Sequence, residues 1–497
     1  MTHFSPASGA LLLLIASCAG RPPVTSLSGV TPPPERWSTP TAAEPGLRAP
    51  SGQDWWESFR DPSLSDMIHE ALGTNFDILV AEARVRRAAS EARIARADLL
   101  PAAGASVDAS RRRQNFIGLP IPGGEGGVLS TTTDSFGASL DVIWEADLWG
   151  RLRAGARASV ADAQAAAADY EAARLSIAGQ VARAWFALAE LQQQVILAER
   201  TVATRQQTAD QVRLRYERGL RAPLELRLAL SDLAGAESLL RQRRRQRDGA
   251  LRQCEILLGR HPGARMVPPE KQDELPPPVP AGLPAELLNR RPDILAAERR
   301  LAAADERLSV ARRSLYPRLV LTGRGGTASN ELRDLLDGDF RIWSLIAGLT
   351  QPIFQGGRLR AGVDRGAAMV DEAAALYRDT VLSAMSEVES ALAAESLLIE
   401  QEARAREASH HARAAERLAM DRYAQGLTDY ITVLETQRRA LLEEGAWITA
   451  RRTLLDNRVN LHLALGGGFH SPRAPSGEAG PEPGRSVRSP GPDEGES

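Results

Sequence analysis

The sequence predicts a mainly α-helical chain that also carries membrane β-structure, built from one helix–strand–strand–helix–helix unit written twice. Three observations lead there. The hexapeptide GRLRAG occurs at Gly150–Gly155 and again at Gly357–Gly362, 207 positions later. The stretch PDILAAERRLAAADERLSVARRSLYP (Pro292–Pro317) matches FDILVAEARVRRAASEARIARADLLP (Phe76–Pro101) at an offset of 216. Within each half, two short segments alternate apolar and polar residues, and long Ala/Arg/Glu/Leu-rich runs of helical composition follow them.

The first elements concern export. Ala10–Ala16 (ALLLLIA) is too short to span a bilayer, which takes about 20 apolar residues, and has the size of a signal-peptide core. Ile15-Ala16-Ser17-Cys18 follows the pattern of a bacterial lipobox. Residues 1–17 therefore read as a signal peptide and Cys18 as a lipidation site. The competing reading is an ordinary signal peptide with an incidental cysteine, and the leader departs from the usual pattern in having no Lys or Arg before its apolar core. Residues 18–53, rich in Pro, Ser, Thr and Gly, read as an extended tether. Cys254, the one other cysteine, sits in a helical pattern and reads as a small buried apolar residue, so no disulfide is expected.

The first repeat is assigned to residues 54–258. A Pro-led amphipathic helix begins near Asp61, and Asp77–Leu99 is helical with no breaker until Pro101. Ala103–Arg111 and Ser135–Trp144 then alternate with period two and form a hairpin over 103–145, with Gly118–Thr133 as its loop. Helical signal runs from Gly150 to Leu258. The interruption GLRAP (Gly219–Pro223) splits it into two antiparallel helices, each predicted at roughly 60–100 Å. A Pro-rich linker covers 259–284. The second repeat, 285–465, repeats the order: a hairpin over 318–353 with strands near Arg318–Thr327 and Arg341–Gln351, then a helical pair over 358–465 broken at Gly426. Residues 466–497 are Pro/Gly/Ser-rich and charged, and are expected to be disordered.

The strands carry the functional argument. Each is about ten residues long, the length of a tilted bilayer-crossing strand. Aromatic residues cluster near both ends: Trp144, Trp149, Tyr316 and Phe354 at one, Phe116, Phe340 and Trp343 at the other. This is the pattern of interfacial girdles, although a soluble sheet with one wet face also alternates. Four strands cannot close in lipid, because an open edge leaves backbone groups unpaired. Two chains would supply eight strands and three would supply twelve; the polar inner face and long helices favour the wider structure. The helices themselves are compatible with Ala-rich seams between close-packed neighbours or with an ordinary filled bundle.

Composition excludes several classes. The 61 basic and 63 acidic residues nearly cancel, giving no electrostatic case for nucleic acid. His3, His69, His261, His410, His411, His462 and His470 show no metal-ligand spacing, and His410 and His411 are expected to point apart on their helix. GEGG (Gly124–Gly127) lacks the βαβ setting of a phosphate cradle. No Ser/His/Asp set stands out. No catalytic residue, metal or cofactor is therefore assigned, and the chain is read as a non-enzyme.

Taken together, the Cys18 lipobox, WWESFRDPSL (Trp55–Leu64), the duplicated NFDI…LLP and PDI…LYP helices, GRLRAG after each hairpin, and RYxxGL at each helical turn resemble the TolC-like outer-membrane efflux proteins. The match is to their NodT/OprM-like lipoprotein branch and covers roughly Trp55–Leu465. The resemblance implies a homotrimer with a twelve-stranded barrel in the outer membrane and a long periplasmic α-helical barrel. It implies an exit duct for drugs or other small toxic compounds, docked through a periplasmic adaptor onto an inner-membrane transporter. A type I protein-secretion duct and a periplasmic lipoprotein scaffold without a pore are the alternatives. The 54–72 segment and the linker are expected to form an equatorial collar. By position, Tyr423 and Glu225 fall where a tyrosine–carboxylate bond tethers the gate, Ile431 at an apolar ring, and Glu435 at a pore-facing carboxylate ring; Arg438, one turn beyond Glu435, is placed to pair with a carboxylate. Arg215, Gly219, Leu220, Arg422, Gly426 and Leu427 are the implied tip contacts to the adaptor. Thr428 and Thr432 depart from the arginine and aspartate that some relatives carry there.

Overall fold

A computed structural model describes residues 34, 36–39, 54–116, 129–220, 222–269, 275–282 and 284–467. Cys18, the leader, most of the tether, GEGG and the tail beyond Gly467 lie outside the described residues. The elements run in the duplicated order. A 3-10 turn (Trp55–Phe59) leads into α1 (Pro62–Thr74) and α2 (Phe76–Ala97). The strands β1 (Ala102–Phe116) and β2 (Leu129–Ala146) follow, then α3 (Arg151–Glu217) and α4 (Pro223–Leu257). The second unit holds α5 (Leu287–Arg290), α6 (Pro292–Arg313), β3 (Arg318–Ser329), β4 (Arg341–Thr350), α7 (Arg358–Ala424) and α8 (Tyr430–Ala464). Among the described residues no helix is long and apolar enough to cross a membrane.

The four strands form one antiparallel sheet in the order β1-β2-β3-β4. Register places Val107, Ala138, Thr327 and Arg341 in one row and Ala105, Leu140, Gly325 and Trp343 in the next, so most of the large apolar residues share a face, with Ile143, Val320, Ile342 and Ile346 on the other. That other face carries most of the polar groups: Ser106 and Ser139 share a hydrogen bond (3.0 Å), and Arg324 lies 3.5 Å from Asp141. β1 and β2 are longer than their alternation predicts. Leu129–Thr133, expected in the loop, pairs with Arg112–Phe116. Apart from the terminal pair Phe116 and Leu129, these residues are Arg, Gln, Asn, Ser and Thr, as suits a strand that has run past any apolar layer and needs only its ladder.

GRLRAG marks the corner from sheet to helix. Gly150 and Gly357 both take positive φ (77° and 82°) immediately before the two 67-residue helices. At the first corner Asp147 caps α3, accepting the Leu152 and Arg153 amides at 3.1 and 2.9 Å. At about 1.5 Å per residue, α3 and α7 each reach about 100 Å. Their partners α4 and α8, at 35 residues, reach only about 50 Å, shorter than the expected 60–100 Å. The remaining length is filled by a second helix laid end to end. Asn75 Nδ2 donates to the Leu257 carbonyl (2.8 Å) and Thr74 Oγ1 to that of Leu258 (2.7 Å), joining α4 to α2. In the second unit, Arg291 occupies the equivalent position. Its guanidinium donates to the Ala464 carbonyl (3.1 Å), Asp293 (2.7 Å) and Glu387 (2.6 Å), joining α8 to α6. Each long helix therefore lies beside a spliced pair, and the splices satisfy carbonyls that a helix end leaves open.

The main core sits at mid-length. Trp55, Trp56, Phe59, Leu64 and Ile68 pack on Trp185 and Phe186 of α3. Asp61 caps α1 through the Leu64 amide (3.1 Å) and accepts the Trp185 indole (2.7 Å). His462 is buried against Trp55 and Phe59, with Ser58 Oγ at 3.2 Å. Burial, with Arg458 nearby, pushes its pKa down to about 4. On the other side Val279 and Ala281 pack on Val388 and Leu392 of α7, and Trp37 Nε1 donates to Gly282 O (3.0 Å). A buried ion pair, Arg458 to Glu395 (2.8 Å), also reaches the Pro276 carbonyl. Cys254 is fully buried and unbridged, its thiol pushed up to about 11 by burial. His410 and His411 do not diverge as expected: their rings meet edge-on at 5.4 Å.

Candidate functional site

The helical tips are built from the RYxxGL copies. Gly219 and Gly426 adopt φ of 69° and 77° and end α3 and α7 in the same way. Gly219 N–H donates to Tyr216 O (2.9 Å) and Leu220 N–H to Arg215 O (2.9 Å). Gly426 N–H donates to Tyr423 O (3.0 Å) and Leu427 N–H to Arg422 O (2.8 Å). This paired closure needs a residue at positive φ, which explains the glycine in each copy.

Identical motifs then diverge in role. Arg215 crosses from the first tip to the second. Its guanidinium donates to the carbonyls of Tyr423 (3.3 Å) and Ala424 (3.1 Å) and stacks over the Tyr423 ring at 4.7 Å. A cation thus covers the C-terminal carbonyls of α7. Arg422, its counterpart, is exposed. Tyr423 is fully buried beside Tyr430 (6.0 Å), whereas Tyr216 is 40% exposed. Leu220 and Leu427 are both exposed at the extreme end. Glu225 lies half-buried in the first turn of α4.

α8 has two opposed stripes. Tyr430, Val433, Gln437, Ala440 and Glu444 are buried, and Ile431, Glu435, Arg438 and Leu442 are exposed. Glu435 and Arg438 approach each other at 3.7 Å on the outer stripe. Asp429 caps α8 through the Thr432 amide (2.9 Å) and accepts its hydroxyl (2.6 Å), so Thr432 has a local structural role.

Sequence reasoning missed the polar layer under this stripe. Arg205 of α3 donates to Gln437, whose amide faces Met420 Sδ at 3.4 Å. Glu444 holds Arg200 of α3 (2.5 Å) and also Arg413 of α7. Burial raises the Glu416 carboxyl above its usual range against the opposing pull of Arg205. Arg200, Arg205, Arg413, Glu416, Gln437 and Glu444 line an open cleft between α3, α7 and α8. The available signal was the spacing of Gln437 and Glu444, seven apart on the buried stripe of an otherwise apolar seam. Among the described residues no group of three or more His, Cys, Asp or Glu side chains is placed to hold a metal ion.

An open-edged antiparallel sheet with one apolar face, rooted on helices about 100 Å long, defines an outer-membrane channel protein with a periplasmic helical extension. The chain belongs to the outer membrane efflux protein family, whose profile matches residues 67–260 and 283–467. It is 32% identical over 469 residues to the pyoverdine export outer membrane protein OpmQ of Pseudomonas putida, covering 93% of this chain and 96% of that protein. It is also 32% identical over 421 residues to the toluene efflux pump outer membrane protein TtgF of Pseudomonas putida, covering 84% and 85%. The solved outer-membrane channel OprN matches with a TM-score of 0.79 at 28% identity, covering 88% of this chain and 98% of that one. The chain is accordingly an efflux protein of the outer membrane, with its long helices extending into the periplasm.

Proposed function

We propose that three copies of this chain form the exit duct of a tripartite efflux pump, each supplying four strands to a twelve-stranded barrel. The observation that carries the reading is the pair of unpaired sheet edges, β1 and β4, on a sheet with an apolar face. In lipid such edges close only on other strands, and an even strand count keeps the closed barrel antiparallel throughout. The collar is the mid-length core of the Trp55–Phe59 turn and the 275–282 segment. The tips, through Arg215, Gly219, Leu220, Arg422, Gly426 and Leu427, dock a periplasmic adaptor that links the duct to an inner-membrane transporter. Ile431 and Glu435 face the axis as apolar and acidic rings, and Tyr423, Glu225 and Arg438 hold the closed tips. Cys18 carries the lipid anchor. Drugs and other small toxic compounds are the cargo class. Relatives of equal identity are named for pyoverdine and for toluene, so cargo choice resides largely outside the duct.

The test is reconstitution of the purified, full-length protein in planar bilayers. Trimers by light scattering and single-channel conductance are expected. A monomer that inserts no pore overturns the reading in favour of a scaffold. Mass spectrometry of the mature N-terminus checks the anchor separately: acylated Cys18 is expected, and an unmodified N-terminus elsewhere removes that assignment.

A further inference from the structure

The sheet's two free edges differ in charge at one end. β1 has 15 residues and β4 has 10, and the excess lies at the end away from the helices. That end of β1 reads Arg111-Arg112-Arg113. The connection leading into β4 holds Glu331, Asp334, Asp337 and Asp339 against a single arginine, Arg333. Arg333 is already engaged by Glu331 (2.7 Å) and Asp334 (3.5 Å). Arg111 lies 3.5 Å from Asp134, and Arg113 donates to Ser130 Oγ (3.1 Å). Among the described residues, Asp337 and Asp339 meet no cation.

Barrel geometry says which residues of the two edges meet. Strands of membrane barrels tilt by about 35–45°. With about 3.3 Å per residue and about 4.8 Å between strands, the hydrogen-bonding row then climbs about four to six residues for every four strands. The step must be even, since an odd step turns an apolar face into the lumen. The row Val107–Ala138–Thr327–Arg341 crosses one copy. Carried onto β1 of the next copy, it reaches Arg111 for a step of about four or Arg113 for about six. A step in the opposite direction sets Arg341 against Ala103 or Pro101 and leaves most of β4 with no strand beside it. The smaller step places Arg113 directly opposite Asp339. The larger sets Arg113 directly opposite Arg341, a like charge, with Asp339 only at the diagonal position, so the pairing belongs to the smaller step.

We propose that Arg113 of one copy and Asp339 of the next form an ion pair that clasps the extracellular end of the seam between subunits. The clasp rests on the trimeric reading above, and it lies where the seam leaves the apolar layer and backbone pairing loses its strongest support.

The experiment uses the full-length protein in detergent with Arg113→Asp, Asp339→Arg and the double reversal. Each single variant lowers the temperature at which trimers dissociate in SDS by about 2–4 °C, and the double reversal restores it. Arg113→Cys with Asp339→Cys gives covalent dimers and trimers with a short bismaleimide, and neither single cysteine does. Trimers by light scattering with unchanged melting in the single variants, or no recovery in the double, overturn the clasp and leave the trimer standing. Loss of co-purifying anionic lipid in Arg113→Asp, whatever occupies position 339, also overturns it, by making the arginines a headgroup contact. A monomeric wild-type protein defeats the trimeric reading itself.

Discussion

Arg215→Ala is expected to loosen the closed tips, and the duplication supplies its own control. The substitution removes two hydrogen bonds to the carbonyls of Tyr423 and Ala424, at 3.3 and 3.1 Å, and a guanidinium 4.7 Å above the Tyr423 ring. Partly solvated bonds of this kind contribute about 0.5–1.5 kcal/mol each, and the stacked cation about 0.5–1 kcal/mol. Discounted for water at the tip, the sum is about 2 kcal/mol per subunit. If the tips separate on opening, that is about a 30-fold shift toward the open state for each subunit. The assay is single-channel conductance in planar bilayers, backed by sensitivity of cells to a bulky antibiotic that enters only through a leaking duct. Arg422→Ala removes the same residue type from the same motif, but from an exposed position, and in the purified protein, where no adaptor is present, it is expected to leave the conductance unchanged. Equal conductance in Arg215→Ala and wild type, or an equal rise in Arg422→Ala, refutes the assignment of Arg215 as the tip clasp.

Three further outcomes are expected. Below pH 6.5 the unfolded chain takes up a proton at His462 that the folded site refuses. Stability should therefore fall by about 1.4 kcal/mol per pH unit, roughly 3 kcal/mol in all, before levelling near pH 4, and His462→Phe should flatten that part of a thermal-unfolding pH profile. Arg458→Met strands the buried Glu395 carboxylate and should cost about 3–5 kcal/mol in denaturant unfolding, most of it recovered by adding Glu395→Leu. On the proposed trimer, Glu435→Gln should weaken divalent-cation block of single-channel current, because three carboxylates at one axis would attract cations; unchanged block removes Glu435 from the pore.

The architecture was legible because its cues are local and written twice. A glycine that must take positive φ, a proline at a strand start and an alternating face are each visible in a few residues. The strand ends were misjudged because alternation reports an apolar layer rather than hydrogen bonding. Arg112–Phe116 and Leu129–Thr133 keep the ladder after that layer ends. The unequal helix lengths follow from the breaks at Gly219 and Gly426; what was hidden is the end-to-end joint, since Asn75 and Arg291 close it with unrelated chemistry. At the tips the sequence presents Arg215 and Arg422 as equals. Only packing, which buries Tyr423 and leaves Tyr216 half in water, separates them. The polar layer of Arg200, Arg205, Arg413 and Glu444 joins α3 to the α7–α8 hairpin more than 200 positions later, so no window of sequence contains it.

The spliced helices have a mechanical consequence. In each repeat one rod runs unbroken from sheet to tip, while its neighbour is cut at mid-length and bridged by side chains. Twisting strain applied at the tips is carried past the middle by α3 and α7 alone, because a joint of a few hydrogen bonds transmits torque poorly compared with a continuous backbone. In the duct proposed above, a tip end that uncoils would therefore turn against the Trp55–His462 core, where the neighbouring rods are jointed. An exit that opens in this way can cycle repeatedly without straining the strands that keep the outer membrane sealed.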